Sequence, residues 1–344
     1  MLIPVLFLMA SSAGTFPAGA RQPQLAASAD LVGMTFGSGT SVYFVSSPDQ
    51  GATWGVPSKV ADNTTLALGR HRGPRLAMLK NAIIISAVVG GKGTKQADTL
   101  TAFRSTDQGK TWTRAGVIND VAESAREGLH AMTAAPDGTL FAAWLDLRAK
   151  GTKLYGAKST DGGVTWSKNF LVYDSPDGTI CQCCHPTLTV DAQGRVHAMW
   201  RNVIDGSRDF YETSSADGTH FGPARKLGTG TWKLDACPMD GGGLAIGQDG
   251  KAISAWRRET DIFLAEGATE QRVGPGKDVA LARNGQGTYL VWTHEGGIEA
   301  LTPKSAKPVV LAKVGGFAVL LPLKDGSVLA AWDTLGSIEW MRLD

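Results

Sequence analysis

Short apolar runs alternate with turn residues along nearly the whole chain, and the alternation repeats. The stretch "GLHAMTAAPDGTLFAAWLD" (128–146) reads as an apolar strand, a Gly-containing turn and a second strand ending in Trp. The same layout recurs in "HPTLTVDAQGRVHAMWRN" (185–202), "GGLAIGQDGKAISAWRRE" (242–259), "DVALARNGQGTYLVWTHE" (278–295) and "FAVLLPLKDGSVLAAWDT" (317–334). "PQLAASADLVGMTFGSG" (23–39) and "GPRLAMLKNAIIISAVVG" (73–90) follow it without the Trp. Seven units of about 46 residues imply a propeller or solenoid array. Alternating strands at close intervals, with no amphipathic helical stretch, imply an all-β chain. Four antiparallel strands per unit around an axis is the propeller solution, because it leaves only short sheet edges. Seven blades are favoured, with a six-bladed ring sharing terminal strands as the alternative. The last unit runs out at Asp344 after three strands, so its outer strand is either missing or supplied by the N-terminal part of the chain.

A second repeat interleaves with the first. "SSPDQGATW" (46–54), "RSTDQGKTW" (104–112) and "KSTDGGVTW" (158–166) share S-x-D-x-G-x-T-W, and "SSADGTHF" (214–221) is a worn copy. Asp and Gly build a tight turn, since the carboxylate accepts from nearby backbone N–H groups and glycine tolerates positive φ. These turns are expected to hold hairpins together and to do no chemistry. The five Trp residues that end second strands, Trp144, Trp200, Trp256, Trp292 and Trp332, are expected to pack between blades. With their Asp boxes and strand layout, residues 21–344 resemble the sialidase-like (BNR, Asp-box) β-propeller superfamily. The motif also occurs in propellers without sialidase activity, so the resemblance implies the fold more than a reaction.

The formal net charge is +2 and no basic tract is present, which gives no argument for a nucleic-acid partner. The apolar run Leu2–Ala10 followed by Ala18-Gly19-Ala20 reads as an export signal over residues 1–20, although it lacks the usual leading Lys or Arg. It is too short to span a bilayer as a helix. A periplasmic or secreted monomer is the expectation, in a compartment where an even count of four cysteines suits disulfides.

In a propeller the segments before each first strand gather at one mouth of the axis. Here they are "GRHRGPR" (69–75), "AREGLH" (125–130), "CQCCHP" (181–186), "DACPMD" (235–240) and "GKD" (276–278), joined after second strands by Asp146, Arg148, Arg201, Arg257, Arg258, His294, Glu295 and Asp333. "HRGPRL" (71–76) resembles the F-R-I-P motif of sialidases. The resemblance implies that Arg72 grips a substrate carboxylate, a task suited to a planar guanidinium fork. Arg126, Arg148, Arg201 and Arg257 are candidates, by position, to complete the clamp. The partner implied is an anionic small molecule or glycan. Sialidase chemistry also needs a Tyr nucleophile paired with a Glu. None of the five tyrosines starts a first strand, Tyr155 and Tyr211 only follow mouth-side loops, and Glu127 has no evident Tyr partner, so no catalytic residue is assigned.

The cysteines leave three readings open. Cys181, Cys183, Cys184 and Cys237 could form two disulfides, although adjacent Cys183 and Cys184 are poorly spaced for one. With His185, and with Met239 as a further soft donor, they could hold a soft metal such as copper. Pro186 keeps His185 extended, so a metal site requires the chain to turn before it. A redox-active thiol pair is the third reading. The spacing C-x-C-C-H-P with C-P about fifty residues on resembles that of uncharacterised exported sialidase-like proteins, and implies no function of its own. Three function classes follow: a glycan- or anion-binding propeller with or without hydrolysis, a periplasmic copper or thiol-redox protein, and an interaction scaffold.

Overall fold

The computed structural model describes residues 16–28, 31–62, 64–66, 68–91, 99–247, 250–267 and 269–344. The expected export run Leu2–Ala10 lies outside the described residues. Every regular element among the described residues is a strand, and no helix is long and apolar enough to cross a membrane.

Seven antiparallel sheets follow one another along the chain and form the blades of a seven-bladed propeller. Blades 1 and 3–6 have four strands each in simple up-and-down order, with spans 21–61, 130–173, 187–226, 242–275 and 277–312. Blade 2 spans 64–117 and has five. Its innermost position is split between Thr64–Leu66 and Arg75–Met78, both paired to Ile83–Gly91, and the described residues 68–74 between them form a loop. Blade 7 keeps three strands, Gly316–Pro322, Val328–Thr334 and Ser337–Leu343. The six-bladed alternative is not what the chain builds.

The innermost strands form a closed ring. Arg21–Ala27 touches Arg75–Met78, and contacts continue through His130–Ala134, Thr187–Val190, Gly242–Ile246, Lys277–Asn284 and Gly316–Pro322 back to Arg21–Ala27. Closure between blades 7 and 1 uses side packing rather than a shared sheet. The Gly19 N–H donates to Gly336 O at 2.8 Å, Ser38 Oγ donates to Ala18 O at 2.7 Å, and Phe16 packs on Phe36 and Trp340. Residues 18–20, the expected cleavage site, thus sit in this seam.

The tryptophan repeat is inter-blade cement. Trp144 is buried with Ile84 and Leu100 of blade 2, Trp256 with Met199 and Phe210 of blade 4, and Trp332 with Tyr289 and Val291 of blade 6. Each thus faces the preceding blade, where burial of so large an apolar surface contributes most. The Asp boxes do the same from the outer edge. In the first, Asp49 accepts from Ser47 Oγ at 2.7 Å, the Thr53 N–H at 2.8 Å and Thr53 Oγ1 at 2.6 Å, and the pattern repeats around Asp107 and Asp161. The motif glycines Gly51, Gly109 and Gly163 sit directly on Leu329, Phe44 and Ile84, each in the preceding blade. These turns therefore seal the gap between blades as well as closing a hairpin.

Gly109 has φ of +86°, and a Cβ there would lie 2.3 Å from the Phe44 ring, whereas Gly138, at φ +88°, has nothing within 4 Å. Gly138→Ala is expected to cost only the left-handed backbone term, about 1 kcal/mol. Gly109→Ala adds overpacking and is expected to cost about 2–4 kcal/mol in chemical denaturation. Equal losses at the two sites would contradict the sealing role.

Candidate functional site

The loop inserted in the inner strand of blade 2 lies across the axis. Residues Gly69–Arg72 form a tight turn closed by the Arg72 N–H to Gly69 O at 3.1 Å. Its two central residues, Arg70 and His71, have φ of +53° and +62°, a conformation that costs a non-glycine residue on the order of 1 kcal/mol. Contacts with every other blade hold it there. Arg70 Nη1 meets Met239 Sδ of blade 5 at 3.1 Å, and Arg72 Nε donates to Glu127 O of the segment entering blade 3 at 2.5 Å. The His71 ring stacks on His185 of blade 4 at 4.2 Å, meets Phe317 of blade 7 edge-on at 5.0 Å, and bonds Asp278 Oδ1 of blade 6 through Nε2 at 2.7 Å. Gly73 lies against Gln22 of blade 1.

Arg75 holds the loop from below. It is buried, and its guanidinium donates to the backbone oxygens of His71, Gly73, Pro74 and His130, at 2.5 to 3.2 Å. Burial lowers its pKa to about 10. Sequence reasoning assigned no role to Arg75. The available signal was the third basic residue of "HRGPR", placed where the inner strand begins.

Three acids from different blades surround this turn. Asp278 takes the His71 bond. Asp240 is buried between Arg201 Nη2 at 3.2 Å and Arg257 Nε at 2.7 Å, yet burial still raises its pKa. Asp333 is pushed up to about 6 by burial, against the Gln22 N–H at 2.6 Å and the Arg21 charge at 3.9 Å. Beside Asp333 a cavity of about 420 Å³ opens between blades 6, 7 and 1, lined by Arg21, Phe317, Thr334 and several glycines.

The five candidate arginines fall into two groups. Arg72 and Arg126 lie at the mouth: Arg72 also pairs with Glu127 Oε2 at 3.1 Å, and Arg126 is exposed, its guanidinium reaching Glu123 O at 3.5 Å. The other three are struts. Arg148 lies on the Tyr155 ring and bonds Asp146, Asp120 and Asn169. Arg201, 1% exposed, and Arg257 share Asp240, and Arg201 also donates to Arg208 O and Arg257 O. The tyrosines are all engaged elsewhere. Tyr43 stacks on Phe36, Tyr155 lies under Arg148, Tyr173 and Tyr211 flank Trp200, and Tyr289 bonds Gln286.

Next to the turn sits the cysteine segment. The chain turns at Gln182–Cys183, before His185, and the Cys181 N–H is anchored on Arg201 O at 3.0 Å. The buried sulfurs of Cys181, Cys183 and Cys184 form a triangle with edges of 3.6, 3.5 and 4.0 Å. These separations are far longer than a disulfide bond of about 2.05 Å. All four cysteines are free thiols. Arg208 Nη1 donates to Cys181 Sγ at 3.3 Å. Hydrogen bonding with Cys183 and Cys184, and the Arg201 charge, hold the Cys181 pKa far below that of a free thiol. Cys183 is pushed up by Cys181, and Cys184 by burial. Cys237 is exposed and acts on the Cys183 thiol from blade 5, while Met239 packs against the cluster. His185 turns away from the sulfurs toward His71, and Gly241 leaves room for its ring: a Cβ there would fall 2.3 Å from it.

Residues 37–230 match the model of the BNR repeat-like domain. The chain belongs to this family. Comparison with curated proteins finds no match. Among solved structures, the α-L-arabinofuranosidase Arb93A of Fusarium graminearum with an iminosugar inhibitor is 12% identical, with 94% of this chain and 92% of that one covered and a TM-score of 0.55. The polysaccharide lyase of family PL25, an ulvan lyase bound to -[GlcA(1-4)Rha3S]-, is 10% identical, with 94% and 93% covered and a TM-score of 0.57. A protein of unknown function from Dyadobacter fermentans is 16% identical, with 94% of both chains covered and a TM-score of 0.52. At such identities the likeness establishes the shared fold, and function must come from the site.

Two stability predictions follow from this BNR propeller's mouth. Asp333 binds its proton more tightly folded than unfolded. Its contribution is therefore greatest below about pH 4 and is lost as pH rises through 6, by about 2–3 kcal/mol relative to Asp333→Asn. Parallel urea-derived stabilities of the two proteins from pH 4 to 7 would contradict this. Asp240→Ala strands the buried Arg201 guanidinium and the partly buried Arg257 one, and is expected to cost about 3–5 kcal/mol in the same assay.

Proposed function

We propose that the protein binds an acidic carbohydrate at the axial mouth, in the periplasm or outside the cell. The observation that carries this reading is the strained Gly69–Arg72 turn, which sets exposed Arg70 and partly buried Arg72 on either side of His71. Strain of this kind persists where surrounding structure over-determines it, and it concentrates at ligand sites. Arg70 has a thioether as its side-chain contact, and Arg72 has one carboxylate, that of half-exposed Glu127. A ligand carboxylate or sulfate would compete with the half-exposed Glu127 carboxylate for the Arg72 Nη2, while the Glu127 carbonyl keeps the Arg72 Nε in place. Exposed Arg126 adds a third positive group beside them.

Room for a sugar exists next to the turn. The cavity beside Asp333 falls within the roughly 300–1,000 Å³ range of ligand pockets. It reaches Phe317, which also touches His71. The leader-like run Leu2–Ala10 supports the external location. A similar fold points the same way, since an ulvan lyase of this fold binds -[GlcA(1-4)Rha3S]-, whose units are acidic. The reading is binding rather than sialidase-type hydrolysis, because every tyrosine is packed away from the turn.

Isothermal titration with neutral and uronate- or sulfate-bearing oligosaccharides tests this. Binding of the acidic ones is expected to weaken at least about 10-fold in Arg72→Ala, as loss of a charge-assisted fork implies, and to fall with salt. Equal affinity for neutral sugars, or no change in Arg72→Ala, would overturn the proposal.

A further inference from the structure

We propose that Cys181, Cys183 and Cys184 form a buried site for a single Cu(I) ion. The triangle with edges of 3.6, 3.5 and 4.0 Å has a centre about 2.1 Å from each sulfur. A metal–thiolate bond of about 2.3 Å then places an ion roughly 1 Å off the plane, with the sulfurs where they already are. Three thiols from four consecutive residues converge because the chain turns at Gln182–Cys183, while Pro186 and the Cys181 N–H anchor on Arg201 O fix the two ends.

The donor set selects the ion. Thiolates favour soft metals, and Cu(I) is content with three of them. Structural zinc takes four ligands in a tetrahedron. A fourth thiolate from Cys237 lies outside the triangle and is exposed, and His185 has turned to His71. Three thiolates around Cu(I) carry a net charge of −2. Arg208 on Cys181 Sγ and Arg201 behind it supply two positive charges. Burial of Cys181 and Cys184 at 1% exposure and Cys183 at 7% keeps oxidant and water away. The exposed Cys237, next to Cys183, marks the side from which an ion enters by thiolate exchange. Loading involves no electron transfer: all three sulfurs bind as thiolates, any sulfur still protonated gives its proton to solvent, and three copper–sulfur bonds form as the copper–chelator bonds break.

The site stands independently of the carbohydrate reading. Reduced full-length protein, kept anaerobic with a non-thiol reductant, is titrated with Cu(I) against a Cu(I) chelator. The expected result is one ion per chain with three sulfur scatterers by X-ray absorption. Cys181→Ser and Cys183→Ser are expected to lower affinity by more than about 100-fold, as loss of a ligand implies. Cys237→Ser should keep the stoichiometry and the three-sulfur shell. Absence of Cu(I) binding by the reduced wild type would overturn the proposal. So would a four-sulfur shell that loses one sulfur in Cys237→Ser, or tighter binding of zinc than of Cu(I). The absorption measurement is made on the wild type, so poor folding of a variant does not blunt the test.

Discussion

The hydrogen bond from His71 to Asp278 joins blade 2 to blade 6 across the propeller axis, and the organisation of the mouth depends on it. Seven inner strands leave a central space that no sheet hydrogen bonds fill. Here one turn of blade 2 occupies it, at a cost of two left-handed non-glycine residues. That cost is offset by the Asp278 bond, by His185 and Phe317 against the imidazole, and by Arg75 gathering the backbone oxygens beneath. The same turn leaves Arg70 exposed and sets Arg72, partly open to solvent, against Glu127. A structural plug and a binding edge are thus one element.

The mouth is electrically divided. Arg201 and Arg257 share the single buried carboxylate of Asp240, which pairs the fully buried Arg201 charge. Arg70 and Arg126 are exposed, and Arg72 is partly so. The sulfur triangle borrows from the buried group, since Arg201 acts on both Asp240 and Cys181. Met239 connects the two chemistries physically, packing on the cysteines while bonding Arg70. Events at one site would therefore be felt at the other through a short path of contacts, a coupling that the two sites' separate titrations can measure.

Much of the fold was legible in the sequence, for a stated reason. A fixed repeat with Trp closing the second strand leaves few ways to bury Trp144, Trp200 and Trp332 other than between stacked blades. Convergence of the first-strand openings was legible too, since topology alone brings "HRGPR", "CQCCHP" and "GKD" to one end. Pairing was not legible. Whether Arg148 faces a ligand or lies on Tyr155 depends on a rotamer and on Asp120, 28 residues away. The fate of Arg201 depends on Asp240 of the next blade. The triangle of sulfurs depends on a turn at Gln182–Cys183 that C-x-C-C spacing permits without requiring. The Asp-box glycines were read as turn formers, and their seats on Leu329, Phe44 and Ile84 emerge only once neighbouring blades are in place.

The claim that the blade 2 turn is pinned across the axis is tested most directly by a double-mutant cycle on His71 and Asp278. Stability and acidic-oligosaccharide affinity would be measured for His71→Ala, Asp278→Ala and the double variant. Direct contact predicts strong non-additivity in stability, with a coupling of about 1–3 kcal/mol, and loss of affinity in either single variant as the arginines lose their orientation. Additive effects within about 0.5 kcal/mol, with affinity intact, would mean that the turn does not rest on Asp278 and that the mouth is organised in another way.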